Sequence, residues 1–167
     1  EVKCIVSGSA ALQTRLAKFF WGIGIPILEG YGLTETSPIV SVNTLLPGGT
    51  KFGTIGKVLD GVTVKIAEDG EICVRGDSVM VGYYKNPEAT AEAIDKEGWF
   101  HTGDIGIMDD EGYLKIVDRK KELIITAGGK NISPANLEAA LKMIPLVGQA
   151  CAIGDQRPFV SALVVLD

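Results

Sequence analysis

The longest unbroken apolar run in this 167-residue chain is five residues, Ala162 to Leu166. A bilayer-spanning helix needs about 20 such residues, and no basic-then-apolar leader pattern opens the chain, so the sequence reads as cytoplasmic. Short runs punctuated by 21 glycines restrict the fold to brief strands and helices that each bury one face. The net charge of −5 offers no broad basic surface, which argues against nucleic acid as a partner. Cys4, Cys73 and Cys151 stand far apart, without CxxC or Cys/His ligand spacing, and read as small apolar residues. The chain opens on Glu1 inside a strand-like run and stops directly after another, which suggests a piece of a longer protein.

Three zones follow one another. In residues 1–50, Lys3 to Ser7 reads as a strand. A helix over Ala10 to Trp21 would place Leu12, Leu16, Phe19 and Phe20 on one face, with Gly22 and Gly24 ending it. Pro26 to Glu29 then leads into a second strand. That spacing predicts a parallel crossover, a strand-helix-strand piece of a larger α/β sheet. Residues 51–118 turn to short strands. Val62 to Ile66 and Glu71 to Arg75 flank Glu68-Asp69-Gly70, a hairpin signal, and Asp110-Glu111-Gly112 separates Asp104–Met108 from Tyr113–Val117. A helix capped by Asn86, with Pro87 in its first turn, interrupts them. This zone predicts a small, partly open antiparallel β subdomain. Residues 119–167 predict a small α+β unit: a strand over Leu123–Thr126, a Gly128-Gly129 turn, a helix capped by Ser133 and ended by Pro145, and strands over Gly148–Ile153 and Phe159–Leu166.

In an open parallel sheet, ligands sit at the carboxyl ends of the strands. Ser7-Gly8-Ser9-Ala10 lies at one such end, where glycine permits close backbone approach and a following helix N-terminus would suit an anion; a plain strand-to-helix turn is the simpler reading. Gly30-Tyr31-Gly32-Leu33-Thr34-Glu35-Thr36 lies at the other. It sets a planar aromatic, a hydroxyl and a carboxylate between glycines, groups able to stack a base, donate to phosphate and hold Mg²⁺. The residues alone do not separate that role from a surface loop. No GxxxxGK[ST] occurs, so a P-loop site is excluded.

Gly30 to Ser37, then Gly98-Trp99-Phe100-His101-Thr102-Gly103-Asp104 about 65 residues on, then Gly112-Tyr113-Leu114-Lys115-Ile116-Val117-Asp118-Arg119-Lys120-Lys121-Glu122-Leu123-Ile124, resemble in order the motifs of the adenylate-forming enzymes. These comprise acyl-CoA synthetases, firefly-type luciferases and peptide-synthetase adenylation domains. Thr126 to Pro134 looks most like the long-chain fatty acyl-CoA synthetases. The resemblance covers essentially the whole chain, from the end of a large N-terminal domain into part of a small C-terminal one. It implies a fatty carboxylate attacking the α-phosphate of MgATP to give acyl-adenylate and pyrophosphate, after which the thiol of coenzyme A displaces AMP. The partners would be small molecules, with membrane contact arising only through the fatty substrate.

Carried onto this chain, the resemblance implies that Gly8, Ser9 and Ala10 line the adenine and acyl pocket. Glu29, Gly30, Tyr31 and Gly32 would frame the adenine, Thr34 would meet the α-phosphate, and Glu35 would bind Mg²⁺. Asp104 would accept from the ribose hydroxyls, and Arg119 would reach ribose or phosphate. Lys121 matches the hinge about which the small domain turns. Gly128 would admit the pantetheine arm, and Lys130 would meet the phosphate end of coenzyme A. Simpler readings stand beside these: Lys121 and Lys130 as solvated charges, Gly128-Gly129 as a turn, His101 as a packed or locally hydrogen-bonded side chain.

The family's Ser/Thr/Gly-rich phosphate loop and its C-terminal lysine are not among these residues, so the parent would be the active ligase, with these residues alone inactive or a weak AMP or acyl-adenylate binder. The alternatives are an adenylating ligase for an aryl or amino acid, and a non-catalytic nucleotide-binding or interaction module.

Overall fold

A computed structural model describes residues 3–8 and 12–166. It divides into two compact units, Glu1–Ile116 and Val117–Asp167. In the first unit, β1 (Ile5–Ser7) pairs in parallel with β2 (Ile27–Gly32), Ile5 opposite Ile27 and Ser7 opposite Glu29. The crossover between them is α1 (Thr14–Gly22). Beyond β2 the same sheet continues antiparallel through β3 (Ile39–Val42) and β4 (Lys57–Val58). The expected crossover is therefore present, as part of a mixed sheet.

Two expectations for α1 are corrected in part. The helix begins at Thr14 after a Gln13 that makes no side-chain cap, later than the expected start at Ala10, which lies outside the described residues. Among the described residues its packed face matches the expected one in part: Leu12 and Phe20 are half-buried, Leu16 and Phe19 are 44% and 59% exposed, and Ala17 is buried. The Trp21 indole N–H donates to Ile27 O at 2.9 Å, and the ring meets Phe52 edge-on with centroids 5.6 Å apart. Thr14 and Trp21, on the Ala17 stripe, are half-buried.

The second sheet runs in chain order through β5 (Val62–Ile66), β6 (Glu71–Gly76), β7 (Phe100–Met108) and β8 (Leu114–Arg119). β5 and β6 form the expected hairpin, Ile66 opposite Ile72, around Gly70, whose φ of +86° is costly for any residue with a Cβ. β6 also pairs antiparallel with β7. With a neighbour on each side, β6 is buried continuously from Glu71 to Val74. Between β6 and β7, α2 (Pro87–Ala93) starts as its sequence requires, the Asn86 carboxamide oxygen accepting from Ala89 N–H at 3.1 Å.

One core joins the two sheets of this unit: Tyr31 and Val40 from the first pack with Ile72, Val74, Phe100 and Leu114 from the second. The motif containing Phe100 is accordingly a strand from its third residue. β7 begins at Phe100 rather than Asp104 because Phe100 and His101 pair with Val74 and Cys73.

In the second unit, β9 (Ile124–Ile125) and β10 (Asn131–Ile132) pair antiparallel around Gly128-Gly129. Ser133 caps α3 (Pro134–Leu141), its hydroxyl accepting from Asn136 N–H at 3.1 Å. α3 closes at Leu141, short of Pro145, because the chain tightens into i→i−3 turns: Met143 N–H to Ala140 O, then Ile144 N–H to Leu141 O. The helix packs on β11 (Val147–Ile153), which pairs antiparallel with β12 (Ser161–Leu166). Among the described residues no helix is long and apolar enough to cross a membrane.

Candidate active site

The carboxyl ends of β1 and β2 bring Gly8 beside Gly30: a Cβ on Gly8 would lie 3.7 Å from Gly30 O. Ser9 and Ala10, expected in the same pocket, lie outside the described residues. Glu29 pairs with Ser7, and burial pushes its carboxyl above the ordinary range, with a backbone hydrogen bond from Leu12 opposing. Gly32 is required sterically, since any Cβ there would collide with the Pro38 carbonyl.

From β2 the chain enters a 3₁₀ turn, Thr34–Thr36. Thr36, fully buried, holds it: its hydroxyl donates to Pro38 O at 2.6 Å and accepts from Leu33 N–H at 3.0 Å. This leaves Thr34 exposed. Glu35 is fixed from a distant segment, as Tyr83 OH donates to its Oε1 at 2.9 Å and Met80 N–H donates to its carbonyl at 2.8 Å. Burial, and then the Glu35 carboxylate, raise the Tyr83 phenol above its usual value, so Tyr83 remains a donor near neutral pH.

The second convergence joins two motifs 73 residues apart. Tyr31 OH donates to Asp104 Oδ2 at 2.6 Å, with Tyr31 9% and Asp104 5% exposed. Tyr31 thus has a supporting duty that its spacing did not suggest. Asp104 is positioned along its strand as well. Its N–H donates to the Thr102 hydroxyl at 3.1 Å, that hydroxyl donates to Ile72 O at 2.7 Å, and Gly103 N–H donates to Glu71 Oε1 at 2.9 Å. His101 makes local contacts, Nδ1 lying 3.0 Å from Glu71 Oε2. Tyr83, Glu71, Thr36 and Thr102 were missed from sequence. Thr36 alone carries a local signal, a threonine closing a glycine-flanked turn.

The remaining predicted residues belong to the second unit. Arg119 ends β8 beside the buried Asp118, whose Oδ1 accepts its N–H at 2.7 Å. Lys121 is exposed. Gly128 and Lys130 lie in a closed turn, where Thr126 N–H donates to Lys130 O at 3.0 Å and Lys130 N–H to the Thr126 hydroxyl at 3.1 Å.

A family model described as AMP-binding enzyme matches residues 1–84, and another, described as AMP-binding enzyme C-terminal domain, matches residues 121–167. The chain belongs to the AMP-binding enzyme family. A long-chain-fatty-acid–CoA ligase, FadD15 of Mycobacterium bovis, is 48% identical over 165 residues, covering 99% of this chain and 27% of the relative. Among solved structures, the o-succinylbenzoate coenzyme A synthetase MenE of Bacillus subtilis in complex with AMP superposes with a TM-score of 0.86. It is 33% identical, over 99% of this chain and 36% of that one. The same enzyme in complex with ATP and magnesium ion gives 0.83 at 33% identity, over 98% and 36%. The chain thus spans little more than a quarter of the length of its curated relative and matches the AMP-binding family at both ends.

Proposed function

We propose that this chain is the nucleotide-reading part of a cytoplasmic, AMP-forming acid-CoA ligase whose acid is a long-chain fatty acid. The observation that carries the reading is the buried Tyr31–Asp104 hydrogen bond, which ties the glycine-flanked loop to the strand bearing the acidic residue. It sets a carboxylate acceptor at the end of a parallel strand pair, where ligands of such sheets bind. The 48% identity to FadD15 supports the fatty acid, and the AMP and ATP complexes of MenE support the nucleotide.

In this reading Asp104 accepts from the ribose hydroxyls, and Gly8, Ser9, Ala10, Glu29, Gly30, Tyr31 and Gly32 frame the adenine and the adjoining acyl group. The exposed Thr34 hydroxyl donates to the α-phosphate. Glu35 suits Mg²⁺, because a carboxylate oriented by one phenol through one oxygen is a hard ligand held in place; the ion would neutralise phosphate charge. The substrate carboxylate oxygen bonds to the α-phosphorus as the bond to pyrophosphate breaks. The coenzyme A thiol, losing its proton, then bonds to the acyl carbon as AMP leaves. The chain's part in the first step is orientation and charge complementarity. In the second unit, Arg119 reaches ribose or phosphate, Lys121 is the hinge, Gly128 faces the pantetheine arm and Lys130 the phosphate end of coenzyme A. Residues 1–50 close the α/β subdomain, 51–118 form the β-rich one, and 119–167 begin the mobile domain.

The test is ATP–pyrophosphate exchange by the full-length protein with long-chain, short-chain, aryl and amino acids, followed by coenzyme A. Exchange with long-chain acids and thioester formation are expected. Exchange with another acid moves the substrate; none with any acid refutes the ligase.

A further inference from the structure

A second cluster of chemically active side chains lies at the β6–β7 pairing, apart from Thr34 and Glu35. Glu71, Cys73 and His101 each present one ligand atom, and these atoms lie within 4.8 Å of one another. His101 Nδ1 is 3.6 Å from Cys73 Sγ and 3.0 Å from Glu71 Oε2. For Zn–N of about 2.0–2.1 Å and Zn–S of about 2.3 Å, a tetrahedral N–Zn–S angle spans about 3.5 Å, and two light-atom ligands span about 3.3 Å. The two separations from His101 Nδ1 match those edges to a few tenths of an ångström, and the third edge, from Glu71 to Cys73, is no longer than 4.8 Å. The strand register produces them: Cys73 is directly opposite His101, and Glu71 shares the Cys73 face two residues along.

The surroundings fit as well. The outward nitrogen of His101, Nε2, lies 3.5 Å from Asp95 Oδ2. Asp95 is itself fixed, its Oδ1 accepting from Glu97 and Trp99 N–H groups at 2.9 Å each. A metal-bound histidine ordinarily gives its second nitrogen to such a carboxylate. Glu71 is steadied by Gly103 N–H. Access is available along the imidazole, whose side chain is 34% exposed.

We propose that Glu71, Cys73 and His101 bind one borderline-soft divalent cation of the zinc type, with Asp95 orienting His101 and solvent completing the tetrahedron. Binding requires the Cys73 thiol to lose its proton to solvent, the carboxylate and neutral imidazole binding as they are. A thiol and an imidazole in the donor set select against Mg²⁺. The site needs no nucleotide, so its test stands apart from the ligase reading.

The experiment is titration of the reduced full-length protein with Co²⁺, a spectroscopic substitute for Zn²⁺, reading the thiolate-to-cobalt charge-transfer absorption. One equivalent should develop the band, Zn²⁺ should bleach it, and excess Mg²⁺ should leave it unchanged. The double variant Cys4→Ser/Cys151→Ser keeps all three ligands and should retain the band. Cys73→Ser should lose it with an unchanged far-ultraviolet circular dichroism spectrum. Asp95→Asn should weaken Co²⁺ binding by about 10–100-fold. Absence of a band at saturating Co²⁺, its persistence in Cys73→Ser, or its loss in the double variant would each overturn the site. Should Cys73→Ser fail to fold, His101→Gln decides: affinity must fall at least about tenfold.

Discussion

Replacing Tyr31 with Phe removes a single oxygen and leaves the ring in the core, so the change isolates the hydrogen bond to Asp104. That bond is short, 2.6 Å, and both partners are at least nine-tenths buried. A hydrogen bond to a charged group contributes about 1.5–3 kcal/mol, and the lost donor is not replaced by bulk water at such a site. Tyr31→Phe should therefore destabilise the first unit by about 1.5–3 kcal/mol. Urea unfolding of the full-length protein, parent against variant, followed by circular dichroism, reads the loss. The midpoint should fall while the slope stays constant, since the surface exposed on unfolding is unchanged. A loss below about 0.5 kcal/mol, the range of an ordinary surface substitution, would refute the claim that this hydrogen bond joins the two motifs.

Leu114→Ala, at a position with 0% exposure, should cost about 2–5 kcal/mol in the same assay, and a cost under about 1 kcal/mol would contradict a core shared by the two sheets. Asn86→Ala should cost about 1 kcal/mol by leaving the first turn of α2 uncapped, with Asn86→Asp restoring most of it. Near the other end of the sheet, the Lys51 ammonium 2.8 Å away, then the Tyr113 backbone N–H, hold the Asp109 carboxyl below its ordinary 3.8. Its contribution is thus present above that value and is lost as pH falls through the lower folded one. The melting-temperature difference between the parent and Asp109→Asn, followed from about pH 6 to about pH 2, should shrink to nothing at the acid end; a constant difference would contradict it.

What was legible in the sequence was written in local chemistry. Asn86-Pro87 and Ser133-Pro134 announced two helix starts, Gly70 a hairpin, and the spacing from Ile5 to Ile27 a parallel crossover, because each depends on residues within a few positions. What escaped depends on partners far along the chain. Trp21 of α1 meets Phe52 edge-on, a contact that no helical period within Ala10–Trp21 contains. Tyr83 reaches Glu35 across 48 residues and Glu71 holds Gly103 across 32, so neither could be found by motif spacing. Asp104 was expected to read a ribose from its motif; that Tyr31 and Thr102 orient it is visible only once β2, β6 and β7 share one core.

The most direct measurement is the affinity of the full-length protein for AMP and for 2′,3′-dideoxy-AMP, each with the parent sequence and with Asp104→Ala. Removing the ribose hydroxyls should weaken binding markedly in the parent and hardly at all once Asp104 is gone, because the two changes delete the same interaction. Equal losses on both backgrounds would show that Asp104 does not hold the ribose and would contradict the account.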